Sequence, residues 1–510
     1  MKNLRHCALA AVAVCLGGLF EPREMIYGSS MPNRKTTRRD VLRQAAGATI
    51  AFPAFLSSSC RPREAPTSAE GPASTSAEEK LARSPNEQIG VGIIGCGRRN
   101  GQLISGKGGQ GAPPAHARIV CVADYNLKRA DRWGKVHGTR KVYQDYRELL
   151  DQKEVDVVIY ATPEHQHYLP CIHACQAGKD IYGEQPLSHT IAEGRKMVEA
   201  VRKYGRVFQT GEQQRSHPAT RKAVELIRNG RIGKIERVVG YNYPSAFECD
   251  FPARPIPEWL DWDAWCGPNE VVPYHTDLYV SRVPYEPEDP YYKYPAEQYA
   301  VGPGWMSFRP YSGGELPNWG CHGLSMVHWA LDLDESGPVE VWVDPAEEME
   351  TVTYHEPETP ARGDALCSRT FIHYKYANGV VLSLTSRDKR LGGGATFLGE
   401  KGKITILRGG YVCDPVGLDE DPLPSDAVRV YESDNHMQDF FDCVVSRKDP
   451  IMNVEAGHSV ATLCHLGNIA RRLGRRLKWD PQQERFPGDD EANTHLDFER
   501  RKGYELPDSV

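Results

Sequence analysis

The chain has 510 residues, with 62 basic and 68 acidic side chains and a formal charge of −6. That balance excludes a broad phosphate-neutralising surface, and no nucleic-acid partner is expected. At 40% hydrophobic and 25% charged, the composition is that of a globular protein, with a length prior of roughly two to four domains.

Residues 1–60 read as an export region. Thr37-Arg38-Arg39-Asp40 precedes an apolar, small-residue stretch at 45–56, a pattern similar to a twin-arginine signal. An earlier apolar run at 7–20 makes Met31 a candidate initiator and a Sec-type signal the alternative. These features predict an exported, periplasmic protein without an integral membrane span, with a lipid anchor at Cys60 as an option. Residues 61–88 are rich in Pro, Ser, Ala and Glu and predict a flexible linker. The 14 cysteines include no CxxC pair, so neither a zinc knuckle nor a redox dithiol is expected.

From residue 89 the pattern changes to alternating strands and helices. Val91, Ile93 and Ile94 form a short apolar strand that runs into Gly95-Cys96-Gly97-Arg98 and then Gly101. Glycine there permits a tight turn and lets backbone N–H groups approach a pyrophosphate, although the spacing is GxGxxxG. A second strand at 118–123 ends at Asp124, whose carboxylate can accept from both ribose hydroxyls and would repel a 2′-phosphate. NAD is therefore favoured over NADP. Further strands are predicted at 156–161, 180–182 and 207–210, with helices at 166–177 and 190–203. Their tips carry Thr162, Pro163 and His167, then Glu184-Gln185-Pro186, then Gln213. The alternation predicts a doubly wound parallel sheet over 89–212, with ligands at the strand C-terminal ends. His165 and His167 form an HxH pair, but no third ligand accompanies them and no metal is expected.

These features occur in order with Gly314, Trp319-Gly320 and His322, and with Ala456-Gly457-His458 and Trp479-Asp480-Pro481 near the C-terminus. The set resembles the Gfo/Idh/MocA oxidoreductases over about 89–505. The resemblance implies an N-terminal Rossmann domain and a C-terminal α/β domain, 213–505, with an open, mostly antiparallel sheet that often supports oligomers, so a homo-oligomer is expected. Local patterning agrees, with strands at 339–343, 369–376, 380–386 and 403–407 and helices at 316–333, 435–446 and 455–473. It also implies NAD(P)-dependent hydride transfer at a sugar or polyol carbon, aided by a Glu-Lys-Pro lysine and an Asp-x-x-x-His pair. This chain departs from both, with Gln185 in the lysine position and Asn318 in the aspartate position, while His322 is kept. An amide orients a substrate but shuttles no proton at neutral pH, which leaves His322 as the expected base.

The cofactor set is then Gly95, Gly97, Arg98, Gly101, Asp124, Thr162, Pro163, His167, Glu184, Gln185 and Gln213, and the catalytic set His322, Asn318 and Gln185. The aromatic-rich stretch 241–311 adds His275 and Arg309 to Asn318 and His322 as expected carbohydrate contacts, since sugar CH faces stack on rings. Most of its aromatic residues are expected to pack a loop-rich flank. Two other functions fit the same residues: a glycosidase that oxidises transiently, eliminates and retains its NAD, and a non-catalytic sugar-binding protein that kept the cleft.

Overall fold

A computed structural model of the chain describes residues 88–107, 109–279, 304–346, 353–355 and 370–510. The expected export region, Cys60 and nearly all of the expected linker lie outside the described residues.

The first sheet is assembled from β1 (Ile89–Ile94), β2 (Ala117–Ala123), β3 (Val142–Tyr143), β4 (Val157–Tyr160), β5 (Asp180–Gly183) and β6 (Phe208–Thr210). Its helices are α1 (Arg98–Ser105), α2 (Leu127–His137), α3 (Tyr146–Leu150), α4 (Tyr168–Gln176) and α5 (Ile191–Lys203). The strands run parallel in the order β3-β2-β1-β4-β5-β6. Every residue of β1, β4 and β5 is buried, as expected of central strands covered by helices on both faces. Local chemistry sets the helix starts. Asn126 accepts from the Arg129 N–H ahead of α2, and Thr190 with Glu193 forms a reciprocal capping box ahead of α5.

After α6 (Pro218–Arg228) the chain enters the second sheet at β7 (Ile235–Tyr241). The stretch that follows holds β8 (Glu248–Cys249), α7 (Trp262–Cys266) and α8 (Thr276–Tyr279). Then come α9 (Cys321–Leu331), β9 (Glu340–Asp344), β10 (Thr353–Tyr354), β11 (Phe371–Lys375), β12 (Val381–Ser386), β13 (Ala395–Gly399), β14 (Gly402–Leu407) and β15 (Gly410–Asp414). The chain closes through α10 (His436–Ser446), α11 (Val454–Leu473) and β16 (Leu477–Lys478). Eight of these strands form an open sheet in the order β15-β14-β13-β7-β12-β11-β9-β16. All neighbours are antiparallel except β7 and β12. Strands β8 and β10 pair separately. No described helix is long and apolar enough to cross a membrane.

The C-terminal stretch does more than finish the second sheet. In α10, Met437, Phe440 and Phe441 join Trp133 of α2 and Tyr182 of β5 in one core. Helix α11 is buried along most of its 20 residues. Its Val454 and Ala461 join the core of the first sheet, while Val460, Leu463 and Leu466 join that of the second. A helix apolar all round belongs between two layers. The last segment of chain thus serves both sheets.

Candidate functional site

A cleft of about 500 Å³ runs along the C-terminal tips of the first sheet and meets the start of α9. Gly95 follows β1 at φ +83°, where a Cβ would come within 3.0 Å of the Ala161 carbonyl oxygen. That conformation favours glycine. Gly97 precedes α1 at φ −87°, and a Cβ there would meet nothing within 4 Å. No side chain caps α1. Gly97 and Arg98 line the cleft, whereas Gly101 is buried within α1 and off the wall.

Asp124 at the tip of β2 also lines the cleft. Its two oxygens accept from the backbone N–H groups of Cys96 and Asn126, each at 2.7 Å, which ties the glycine turn to the second strand. Burial pushes this carboxyl up, while the Arg129 guanidinium and the two N–H donors pull it down. Thr162 and Pro163 follow β4 along the wall. His167 does not reach it, because its ring nitrogens lie 3.0 Å from the Thr162 carbonyl and 2.8 Å from the Pro186 carbonyl. The imidazole joins the tips of β4 and β5, and it faces loop carbonyls instead of the cleft.

At the other end, Glu184, Gln185, Gln213, Asn318, Trp319 and His322 come together. Glu184 is buried and pairs with Arg99 at 2.7 Å. The Gln185 carbonyl oxygen Oε1 accepts from the Cys321 thiol at 2.9 Å, which fixes the amide. Asn318 sits in a single π-helical turn, Leu316–Gly320, that leads directly into α9. Single π turns inside α-helices recur at functional sites because they re-aim side chains. The Asn318 amide donates to Glu164, a buried carboxylate that also accepts from the Ser312 hydroxyl at 2.7 Å and the Gly313 N–H at 3.0 Å. Burial still pushes Glu164 up to about 7. His322 occupies the first turn of α9 and is 4% exposed, and its Nδ1 has no hydrogen-bond partner among the described residues. Burial first, then Arg408, Arg99 and His436, hold its imidazole well below the ordinary histidine range. A neutral ring on the cleft wall with an unpartnered nitrogen is able to take a proton.

Two expected carbohydrate contacts are placed elsewhere. His275 stacks on Phe251 at 4.7 Å and accepts from the Asp277 N–H, and Arg309 pairs with Glu248 at 2.8 Å. Neither lines the cleft. The reason is packing, since Phe247, Phe251, Trp262, Phe308 and Tyr354 form a small core of their own. From the same stretch, Trp265, Tyr279, Trp305 and Met306 do reach the wall. Sequence reasoning also missed Arg99, Arg129, Glu164 and Arg408. Glu164 and Arg99 adjoin residues singled out above, whereas Arg408 lies on the turn between β14 and β15 with no local signal.

Residues 226–506 match the C-terminal alpha/beta domain, and residues 89–212 the NAD-binding Rossmann fold, of the GFO/IDH/MocA oxidoreductase family. The chain belongs to this family. The scyllo-inositol 2-dehydrogenase (NAD(+)) of Bacillus subtilis is 35% identical over 118 residues, 23% of this chain and 34% of that protein. The levoglucosan dehydrogenase of Pseudarthrobacter phenanthrenivorans is 34% identical over 124 residues, 24% of this chain and 32% of that protein. The chain thus matches about a third of the length of these GFO/IDH/MocA relatives. Among solved structures, the aldose-aldose oxidoreductase of Caulobacter crescentus shares the fold at a TM-score of 0.51 and 17% identity, covering 77% of this chain and 100% of that one.

Proposed function

We propose that this protein is an oxidoreductase that uses NAD to oxidise a hydroxyl-bearing carbon of a sugar or polyol. The observation that carries this reading is the continuity of one cleft from the glycine turn and Asp124 to Asn318, Trp319 and His322. The residues at the first end fit a dinucleotide. Open space stands where a Cβ of Gly97 would project, the N–H groups of α1 have no side-chain cap, and Arg98 stands beside them. Asp124 keeps lone pairs for ribose hydroxyls after accepting its two N–H bonds. Bound there, NAD supplies the hydride acceptor. The chain's own residues do the rest: His322 takes the hydroxyl proton, Asn318 and Gln185 orient the hydroxyl, and Trp319 offers a ring to the sugar face. The inositol and levoglucosan dehydrogenases among the relatives support a sugar or polyol as substrate.

The test begins with cofactor. Isothermal titration of the full chain is expected to show saturable NAD binding, tighter than NADP binding. Gly97→Val has a permitted φ and an open site for its side chain, so its stability should stay within about 0.5 kcal/mol of the parent. Its NAD affinity should fall by about ten-fold or more, because the branched side chain fills the cradle. Unchanged affinity would overturn the assignment of this turn. A panel of sugars and polyols, read for NADH formation, then tests the reaction. Released sugar from glycosides without net NADH would point to the transient-oxidation hydrolase instead.

A further inference from the structure

The cationic side chains on the cleft wall outnumber the carboxylates. Asp124 and Glu184 are the acidic residues there, against Arg98, Arg99, Arg129 and Arg408. Three of the four arginines have local employment. Arg98 stands at the glycine turn, Arg129 is the charge that pulls Asp124 down, and Arg99 pairs with Glu184. Arg408 is different. It is held over the Trp319 ring at 5.5 Å and forms no ion pair with any described residue. Its position on the turn between β14 and β15 brings a guanidinium from the second sheet to the His322 end of the cleft.

That placement has an electrostatic consequence. Arg99 and Arg408 both act on His322 and on each other, and Glu184 offsets only Arg99. Glu212 lies behind this end of the cleft, but its burial pushes it up to about 8, so it contributes little negative charge at neutral pH. Arg408 is thus left without an ion-pair partner among the described residues at the end of the cleft where the substrate lies. The Trp319 ring beneath it offers a cation–π contact that helps to aim the exposed guanidinium at a carboxylate or phosphate. The phosphates of a dinucleotide would meet the glycine turn at Gly97 and Arg98, whereas Arg408 comes from the second sheet and stands over Trp319 beside His322.

We propose that the substrate is an anionic carbohydrate, whose carboxylate or phosphate is received by Arg408 while its reacting hydroxyl lies at His322. The inference rests on the proposed reading of the cleft as an oxidoreductase site. It adds to that reading a specificity-determining residue and a charge on the ligand. A neutral sugar forgoes the charge-assisted contact with the Arg408 guanidinium, and the site favours the anion for that reason.

The experiment uses the full-length chain, with and without saturating NAD. Binding of glucose, glucuronate and a glucose phosphate, and of galactose and galacturonate, is read by calorimetry and by tryptophan fluorescence. At least one anionic member is expected to bind about ten-fold or more tightly than its neutral parent, as befits a charge-assisted contact. Raising salt to about 0.5 M should shrink that preference. Whether uronate or hexose phosphate wins identifies the anionic group. Arg408→Ala should abolish the preference, Arg408→Lys should keep part of it, and both should bind NAD as the parent does. Equal binding of charged and neutral sugars, a preference that survives Arg408→Ala, or a matching loss of NAD affinity in that variant would overturn the proposal. A parent that refuses NAD yet prefers the anion through Arg408 would refute the oxidoreductase reading while supporting the anionic ligand.

Discussion

Replacing His322 with alanine is expected to lower kcat on a turned-over sugar by about 10² to 10⁴, the usual contribution of a positioned proton acceptor. NAD affinity should be nearly unchanged, because the glycine turn and Asp124, rather than His322, are the residues expected to hold the dinucleotide. The lysine of the family pattern is Gln185 here and the aspartate is Asn318, so no neighbouring amide can substitute as a base. His322→Gln would keep a hydrogen bond to the hydroxyl and lose the basic nitrogen. Its kcat should fall nearly as far as that of the alanine variant, with KM closer to the parent value. Stopped-flow NADH formation measures both. If either variant retains more than about a tenth of the parent kcat, His322 is not the proton acceptor.

The pH dependence carries its own sign. A base works when deprotonated, and activity is lost as pH falls through its pKa. Burial, Arg408, Arg99 and His436 all push the His322 pKa down. The acidic limb of kcat/KM should therefore lie below roughly 6.5, the ordinary imidazole value, so His322 produces no fall between neutral pH and that point. Arg408→Ala removes one of the opposing charges and should move the limb upward. Glu164, which burial pushes up to about 7, is able to add an inflection in the neutral range through its hold on Asn318 and Gly313. In Glu164→Gln that inflection should disappear while the His322 limb stays.

Much of this arrangement is local in origin, and that part is legible in the sequence. Strands β1, β4 and β5 announce themselves as short apolar runs. Each leads into a residue with a polar or conformational role, namely Gly95, Thr162 and Glu184. Strand β7 has no such local signature, although it lies at the middle of the second sheet. Its partners β12 and β13 arrive more than a hundred residues later, and its alternation in Ile235-Glu236-Arg237-Val238-Val239 is short. The same distance hides Arg408, which reaches Trp319 only through the β14–β15 turn. His275 and Arg309 fail for another reason. Composition marks the 241–311 stretch as aromatic, but it does not tell which rings pack inward, and stacking on Phe251 and pairing with Glu248 settle where these two go. His167 shows the limit of motif position. It stands where the family pattern places it, yet both its nitrogens face loop carbonyls.

The largest stability loss is expected from Arg500→Ala. The Arg500 side chain is 4% exposed and pairs with the fully buried Glu193 at 2.9 Å and with Asp497 at 2.7 Å. Its guanidinium also lies over the rings of Tyr168, at 5.1 Å, and Phe498, at 4.4 Å. Glu193 is already the reciprocal member of the α5 capping box, accepting from the His189 and Thr190 N–H groups. Burial already pushes the Glu193 carboxyl up to about 7, and without Arg500 it is held by neutral donors alone and must take up a proton or stay uncompensated, a change that costs on the order of 2–3 kcal/mol with the lost packing. Urea unfolding of the two proteins reads the difference. Adding Glu193→Gln to Arg500→Ala should recover part of the loss, because the uncompensated charge is gone. If the double variant is instead as unstable as the sum of the two single changes, ring stacking and packing account for the role of Arg500. The position matters for the cleft as well: the α5 cap closes the loop that begins at Glu184 and Gln185. A loosened C-terminal tail should therefore weaken substrate binding in the variant even at temperatures where it remains folded.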